Sequence, residues 1–314
     1  MPPKIHTLQK MTDSRAFLFA RLEIADIDNS AVLRINVPEM VEQEICLFHT
    51  EVSSGDQYFR ILHQRIEEGV RNRQPTPVVR FADGEYAFYE EDLHCNGLYQ
   101  QAESSRAIRN AMPMHIEALR FVAASGLLTP LIFPGNIRPS KKGLLSFLKK
   151  PKPNPSALRF IDFLSAHGVE LTRDNYLPFY VVYAYLTSET FARLVDRKHI
   201  CLVSSECQME SCRKWFALFS SNPCISFADI PDAYVATRWP AIRETAFKKI
   251  PAETDLCLVG AGVGALPACA DIARQFSIPA IDAGHVLNMM NGQEAKSGGG
   301  RLYTLRKART TGSL

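Results

Sequence analysis

Two carboxylates bracketing a glycine, Asp83-Gly84-Glu85, close a short β-branched run, Val78-Val79-Arg80-Phe81-Ala82. Oxygen ligands in this arrangement suit a hard divalent cation such as Mn²⁺ or Mg²⁺, which often shares its coordination with a substrate phosphate. If the chain stays extended at the carboxyl end of a strand, the period of two sets both acids on one side. That edge is where open α/β sheets bind ligands. The plain alternative is an acidic turn, since Asp-Gly is a common turn dipeptide. Arg80 offers a cation to an anionic ligand or, from mid-strand, a partner to a carboxylate.

A second group lies near the far end of the chain. Gly260-Ala261-Gly262-Val263-Gly264-Ala265 follows an apolar run, and Asp282 closes the next one. This fits the dinucleotide fingerprint G-x-G-x-x-A with an acid roughly twenty residues further on. It admits an NAD(P)- or adenosylmethionine-dependent enzyme. Against that reading, the fingerprint belongs to the first turn of a β-α-β-α-β unit. The residues after Asp282 are rich in Gly and Lys and do not read as further strands. Glycines also let a backbone approach a ligand, and a helix start offers N–H groups to phosphate. Tight strand–helix packing asks for the same residues. His285, after Asp282-Ala283-Gly284, suits a metal ligand, a proton carrier, a phosphate donor or a satisfied structural histidine.

The elements needed to position these groups follow from periodicity. Tyr58, Ile61, Leu62, Ile66 and Val70 recur at helical spacing from Ser54. Pro75 and Pro77 stop that helix before a strand at 78–82. A helix is predicted over 103–124 and a buried strand over 127–133. Then come a helix at 156–167, an apolar stretch at 177–186 and a helix at 188–196. Strands at 199–205, 224–230, 255–262 and 278–282 alternate with helices at 208–219, near 240–249 and at 265–276. The alternation predicts an α/β fold with a doubly wound, mostly parallel, Rossmann-like sheet. It spans residues 54–290, after an N-terminal extension over 1–53 whose FLFARLEIADI and AVLRINV read as short strands. A basic tail over 291–314 completes the chain.

Composition narrows the classes. With 46% hydrophobic and 22% charged residues the chain is an ordinary soluble globular protein, and a net charge of +3 gives no case for nucleic acid. The eight cysteines form no CxxC pair, which argues against a thiolate zinc site and for a reducing cytoplasm. The N-terminus lacks a signal-peptide core, and no apolar stretch reaches the ~20 residues of a membrane span. Residues 138–155 carry six Lys and Arg around Leu144, Leu145, Phe147 and Leu148. They read as a solvated loop or as a flap touching anionic lipid at the inner membrane face or a substrate diphosphate.

Taken together, three segments resemble the GT-D-fold glycosyltransferases, bacterial enzymes first catalogued as a domain of unknown function. They are Arg80-Phe81-Ala82-Asp83-Gly84-Glu85, then Leu98-Tyr99-Gln100, then Leu256–Pro267 with Asp282-Ala283-Gly284-His285. The resemblance spans roughly residues 56–290. Ala82 stands where the family has glycine and Ala283 where it has isoleucine. Val286–Met289 replaces the family's acidic and aromatic continuation. The resemblance implies transfer of a sugar from a nucleotide-sugar donor, a UDP-sugar, to a glycan, glycoprotein or glycolipid acceptor. It assigns Asp83 and Glu85 to Mn²⁺ or Mg²⁺ and the donor diphosphate. Arg80, Tyr99, Gln100, Gly260, Gly262, Gly264 and Asp282 would shape the donor site, with His285 lining it. For the base that activates the acceptor, Glu85, Glu90, Glu91, Asp92 and Asp282 all stay open. A third reading is a non-catalytic glycan- or lipid-binding accessory protein, suggested by Ala82 and by the residues after His285.

Overall fold

A computed structural model describes residues 55–132, 134–137, 156–172 and 174–293, with short strand segments at 18–21, 23–25, 32–35, 44–47 and 302–304. The basic stretch 138–155 and most of the tail beyond residue 293 lie outside the described residues. At the centre is a six-stranded sheet formed by β1 (Thr76–Phe81), β2 (Leu127–Pro130), β3 (His199–Ser204), β4 (Cys224–Asp229), β5 (Leu256–Gly260) and β6 (Pro279–Asp282). Its order is β2-β1-β6-β5-β3-β4, and every pair is parallel. Parallel strands covered on both faces read as continuous apolar runs, and all six residues of β1 are buried. Edge strand β4 has one buried residue in six, which explains its mixed sequence.

The helices of six or more residues are α1 (Gly55–Asn72), α2 (Asp83–Tyr89), α3 (Ser105–Ser125), α4 (Ser156–Ala166), α5 (Phe179–Leu186), α6 (Glu189–Leu194), α7 (Met209–Ala217), α8 (Val235–Phe247), α9 (Ala265–Phe276) and α10 (Gly284–Met290). Helices α3, α8 and α9 pack on one another on one side of the sheet, and α1, α5 and α6 on the other. The apolar stretch 177–186 is thus a buried helix, α5, whose Tyr185 meets Phe59 of α1 edge to face at 5.6 Å. Start signals are local. Ser104 Oγ accepts from the Ala107 amide at 3.1 Å, and Ser188 Oγ from the Phe191 amide at 3.0 Å.

Three expectations need correcting. The strand expected over 127–133 stops at Pro130. The short N-terminal strands do form, in antiparallel pairs, but the tail adds Leu302–Thr304 alongside Val32–Ile35, so it is not without strands. The helix expected near 240–249 begins at Val235, with Pro240 inside it. Proline there withholds the N–H that the Ala236 carbonyl would accept. His115 of α3 supplies the replacement: its Nε2 lies 2.8 Å from that oxygen, and the Tyr89 hydroxyl lies 3.0 Å from Nδ1.

Burial keeps this imidazole neutral, pulling the His115 pKa down to about 4 against the Ala236 carbonyl, whose bond favours the charged form. The unfolded chain therefore binds the extra proton first. Stability present above the ordinary value of 6.5 is lost as pH falls toward 4. Across that window the protein is expected to lose ~3 kcal/mol through this residue. Urea titrations should show His115→Gln, which keeps a donor but cannot titrate, as flatter by that amount. Among the described residues no helix is long and apolar enough to cross a membrane.

Candidate functional site at the carboxyl edge of the sheet

Strand β3 connects outward to β4, whereas β5 connects back to β6 on the opposite side. Such reversals open a crevice at the carboxyl ends of the strands. Here Ser204 and Gly260, paired in register, flank it. A cleft of about 880 Å³ runs from this point across the ends of β5, β6 and β1. Asp83, Glu85, Tyr99, Gln100, Asp282 and His285 all line it, as do Arg80, Gly260 and Gly262.

The two leading acids do not sit on an extended chain. The strand ends at Phe81, Ala82 is the extended N-cap, and Asp83 opens α2. Positions two apart on a helix do not face the same way. Asp83 is exposed and Glu85 half-buried. The reason is a capping arrangement: Glu85 Oε2 accepts from the Ala82 amide at 2.8 Å. Alanine at the cap position hid that motif from sequence. Burial, reinforced by the nearby Asp282 charge, raises the Glu85 carboxyl to about 7, against the pull of the Ala82 amide and Arg80.

Arg80 is committed to Asp282. Its Nη2 donates to Asp282 Oδ1 at 2.7 Å, its Nε to the Asp282 carbonyl at 2.9 Å, and its amide to Oδ2 at 3.3 Å. The guanidinium lies over the Tyr183 ring, 4.5 Å from the centroid. Burial alone would lower its pKa, but the Asp282 carboxylate outweighs it and holds Arg80 charged. Burial pushes Asp282 upward while Arg80 draws it back. Gly284 completes the fit: at φ +32° a Cβ there would lie 2.0 Å from Arg80 Nη2. The Arg-Phe-x-Asp-Gly-Glu and Asp-x-Gly-His segments are therefore two halves of one buried ion pair joining the ends of β1 and β6.

The glycine turn is also occupied by protein. Gln101 Oε1 accepts from the Val263 amide at 2.9 Å, and a Cβ on Gly262 (φ +53°) would lie 2.6 Å from the Gln101 amide. Gly264 packs against Val235 and does not reach the cleft wall. These glycines serve close protein packing, with one amide already taken. Tyr99 holds a place at the rim, its hydroxyl accepting from Asn288 Nδ2 at 3.0 Å. The Gln100 carbonyl accepts from the Tyr234 amide at 2.8 Å. His285, half-buried on α10, has its ring 6.4 Å from that of Tyr183.

Sequence reasoning missed several residues. Gln101 sits one place beyond the pair it singled out. Ser204 and Glu206 come after a strand it did identify, and the rule about carboxyl ends would have found them. Asp92 was one of several acids considered, but its partner His94 was not. Asp92 accepts from His94 Nδ1 at 2.8 Å and from the His94 amide at 3.0 Å. That bond raises the His94 pKa and lowers that of Asp92.

The charge balance of the cleft is lopsided. Asp83, Glu85, Glu90, Asp92, Glu206, Asp232 and Asp282 line it, while Arg80 is the one permanent cation among the described lining residues. Among the described residues no group of three or more His, Cys, Asp and Glu is placed to hold a metal ion. Any cation would thus take at most two protein carboxylates, a pattern Mg²⁺ shows when substrate phosphates and water complete its shell.

No curated protein matches the chain. Two solved structures each align with 78% of this chain and 86% of their own. One is a selenomethionine-substituted domain of unknown function 1792, at TM-score 0.43 and 16% identity. The other is a structure of that same domain, described as having a distinct glycosyltransferase fold, at TM-score 0.42 and 15% identity. The family model described as a GT-D fold-like domain takes in the glycine turn and Asp282–His285 and leaves Arg80–Glu85 and Tyr99–Gln100 outside its match. That match covers residues 158–290 of the chain.

Proposed function

We propose that the protein is a metal-dependent glycosyltransferase that moves a sugar from a nucleotide-sugar donor, a UDP-sugar, to a glycan, glycoprotein or glycolipid acceptor. One observation carries this reading: among the described residues seven carboxylates line the wide cleft, Glu90 paired with Arg159, and the one permanent cation lining it, Arg80, is already paired with Asp282. A diphosphate meeting these carboxylates is repelled, and a positive charge arriving with it would offset that. Mn²⁺ or Mg²⁺ held by the exposed Asp83, with Glu85 reached through its remaining oxygen or through water, would supply it and would serve as a Lewis acid toward the departing diphosphate. The GT-D fold-like match supports the same class. Transfer at the cytoplasmic side, with the stretch 138–155 touching lipid, belongs to this proposal.

The protein's own groups divide the remaining work. Gln101 and Asn288 fix the rim and the glycine turn. The Asp92–His94 pair takes the acceptor's proton: the carboxylate orients the imidazole and raises its basicity. His94→Gln is expected to lower kcat for donor turnover by about 100-fold with little change in KM. Equal loss in KM would instead mean that His94 binds the donor.

The competing reading, an NAD(P) or adenosylmethionine enzyme, needs Asp282 for a ribose and the Gly260–Gly264 turn for phosphate. Asp282 is spent on Arg80 and the Val263 amide on Gln101. The direct test is release of UDP from a panel of UDP-sugars with Mn²⁺, beside binding assays for NAD(P) and adenosylmethionine. UDP release that stops with EDTA supports the proposal. Tight NAD(P) or adenosylmethionine binding without UDP release would replace it, and UDP-sugar binding without turnover would favour the accessory-protein reading.

A further inference from the structure

Cys207 and Cys212 occupy a special pair of helix positions. With Gln208 as the N-cap of α7, Cys207 is the residue before the cap and Cys212 the fourth residue of the helix. These are the positions at which two apolar side chains usually meet to fix how a chain enters a helix. Here both are thiols in side-chain contact, Cys207 half-buried and Cys212 fully buried. Of the other described thiols, Cys201, Cys257 and Cys269 are sealed in the core, Cys95 is buried beside the cleft, and Cys224 is exposed on the edge strand.

The pair touches the cleft through one residue. Asn291 Oδ1, just past α10, accepts from the Gln208 amide at 2.8 Å and from Cys212 Sγ at 3.4 Å. Asn291 Nδ2 donates to the Glu206 carbonyl at 3.4 Å. Glu206 and Asn291 are both part of the cleft wall. Cys212 therefore helps hold the loop 204–208 against the helix that carries His285.

We propose that Cys207 and Cys212 form a reversible disulfide that loosens this wall, making the pair a thiol–disulfide modification site. The oxidant is a low-molecular-weight disulfide such as oxidised glutathione. Cys207, the reachable thiol, loses its proton and attacks one glutathione sulfur, releasing one reduced glutathione and leaving a mixed disulfide. Cys212, deprotonated, attacks Cys207 Sγ and expels the second glutathione. Two thiol protons leave, the two protein sulfurs are oxidised and the glutathione disulfide is reduced. Cys212 then has no S–H to give Asn291. Burial pushes Cys212 up to about 12 and Cys207 upward too. The pair is thus slow near neutrality and faster in mild alkali.

The test uses the full chain with oxidised glutathione at about pH 8.5, with non-reducing digestion after glutamate as the second step. Cleavage after Glu206 and Glu210 separates the two cysteines, so only a disulfide keeps their fragments together. The expected product is that joined pair, lighter by the two thiol hydrogens and restored by dithiothreitol. Amide exchange at Gln208 should rise about tenfold on oxidation. Cys212→Ser should trap glutathione on Cys207, and Cys207→Ser should leave Cys212 unmodified, which covers the case in which one variant folds poorly. Glutathione persisting on Cys207 in the unaltered protein, or Cys207 joined elsewhere, overturns the site. Unchanged exchange at Gln208 overturns its coupling to the cleft. Neither readout depends on UDP binding.

Discussion

Asp282→Asn is expected to lower stability by about 3 to 5 kcal/mol, because removing one partner of a buried ion pair strands the other. Arg80 and Asp282 are 8% and 5% exposed at their side chains, so no water replaces the lost carboxylate. Asparagine keeps an oxygen but not the charge that holds Arg80 against desolvation. Gly284→Ala should be harmful through the same contact, since its methyl would meet Arg80 Nη2. Replacing both partners, Arg80→Met with Asp282→Leu, should recover most of the loss, as apolar pairs of similar volume often do. Urea unfolding decides this through the midpoint at constant slope. A midpoint for Asp282→Asn equal to that of the unaltered protein would mean that the pair does not hold the ends of β1 and β6.

Glu85→Gln is expected to do two opposite things. The folded-state pKa of about 7 lies above the ordinary 4.5. The folded protein therefore keeps a proton that the unfolded chain has lost, and stability falls as pH rises between those values. Glutamine removes that cost and still accepts from Ala82, so at pH 8 the variant should be more stable by about 3 kcal/mol, and no more stable at pH 4. Donor turnover should fall by about 100-fold in the same variant. A variant that is more stable and fully active would remove Glu85 from the site.

The sheet was legible because β1, β5 and β6 are apolar runs bounded by glycine, proline or an acid, and β3 is an apolar run between Lys198 and Ser205. Helix α5 was not identified as a helix, since a run of aromatic and aliphatic residues without a charge has no polar face to set its period. The position of Asp83 and Glu85 was misjudged for a local reason. Nothing at Ala82 announces a cap, and the bond that starts α2 comes from Glu85 reaching backward. The members of the cleft were visible as separate motifs, but their mutual commitments were not. Arg80 with Asp282, Gln101 with Val263 and Cys212 with Asn291 join residues far apart in sequence, and no periodicity encodes such pairs.

The central proposal, that Asp83 would hold a divalent cation for a nucleotide diphosphate, is tested most directly by calorimetric titration of UDP into the protein. The titration is run with Mn²⁺, with EDTA, and with Mn²⁺ on Asp83→Ala. Asp83 is exposed, so its removal should leave stability within about 0.5 kcal/mol. The account predicts UDP binding with Mn²⁺, and affinity weaker by about 100-fold, or ~2.8 kcal/mol, both in EDTA and in the variant. UDP binding of equal strength in all three titrations would contradict it.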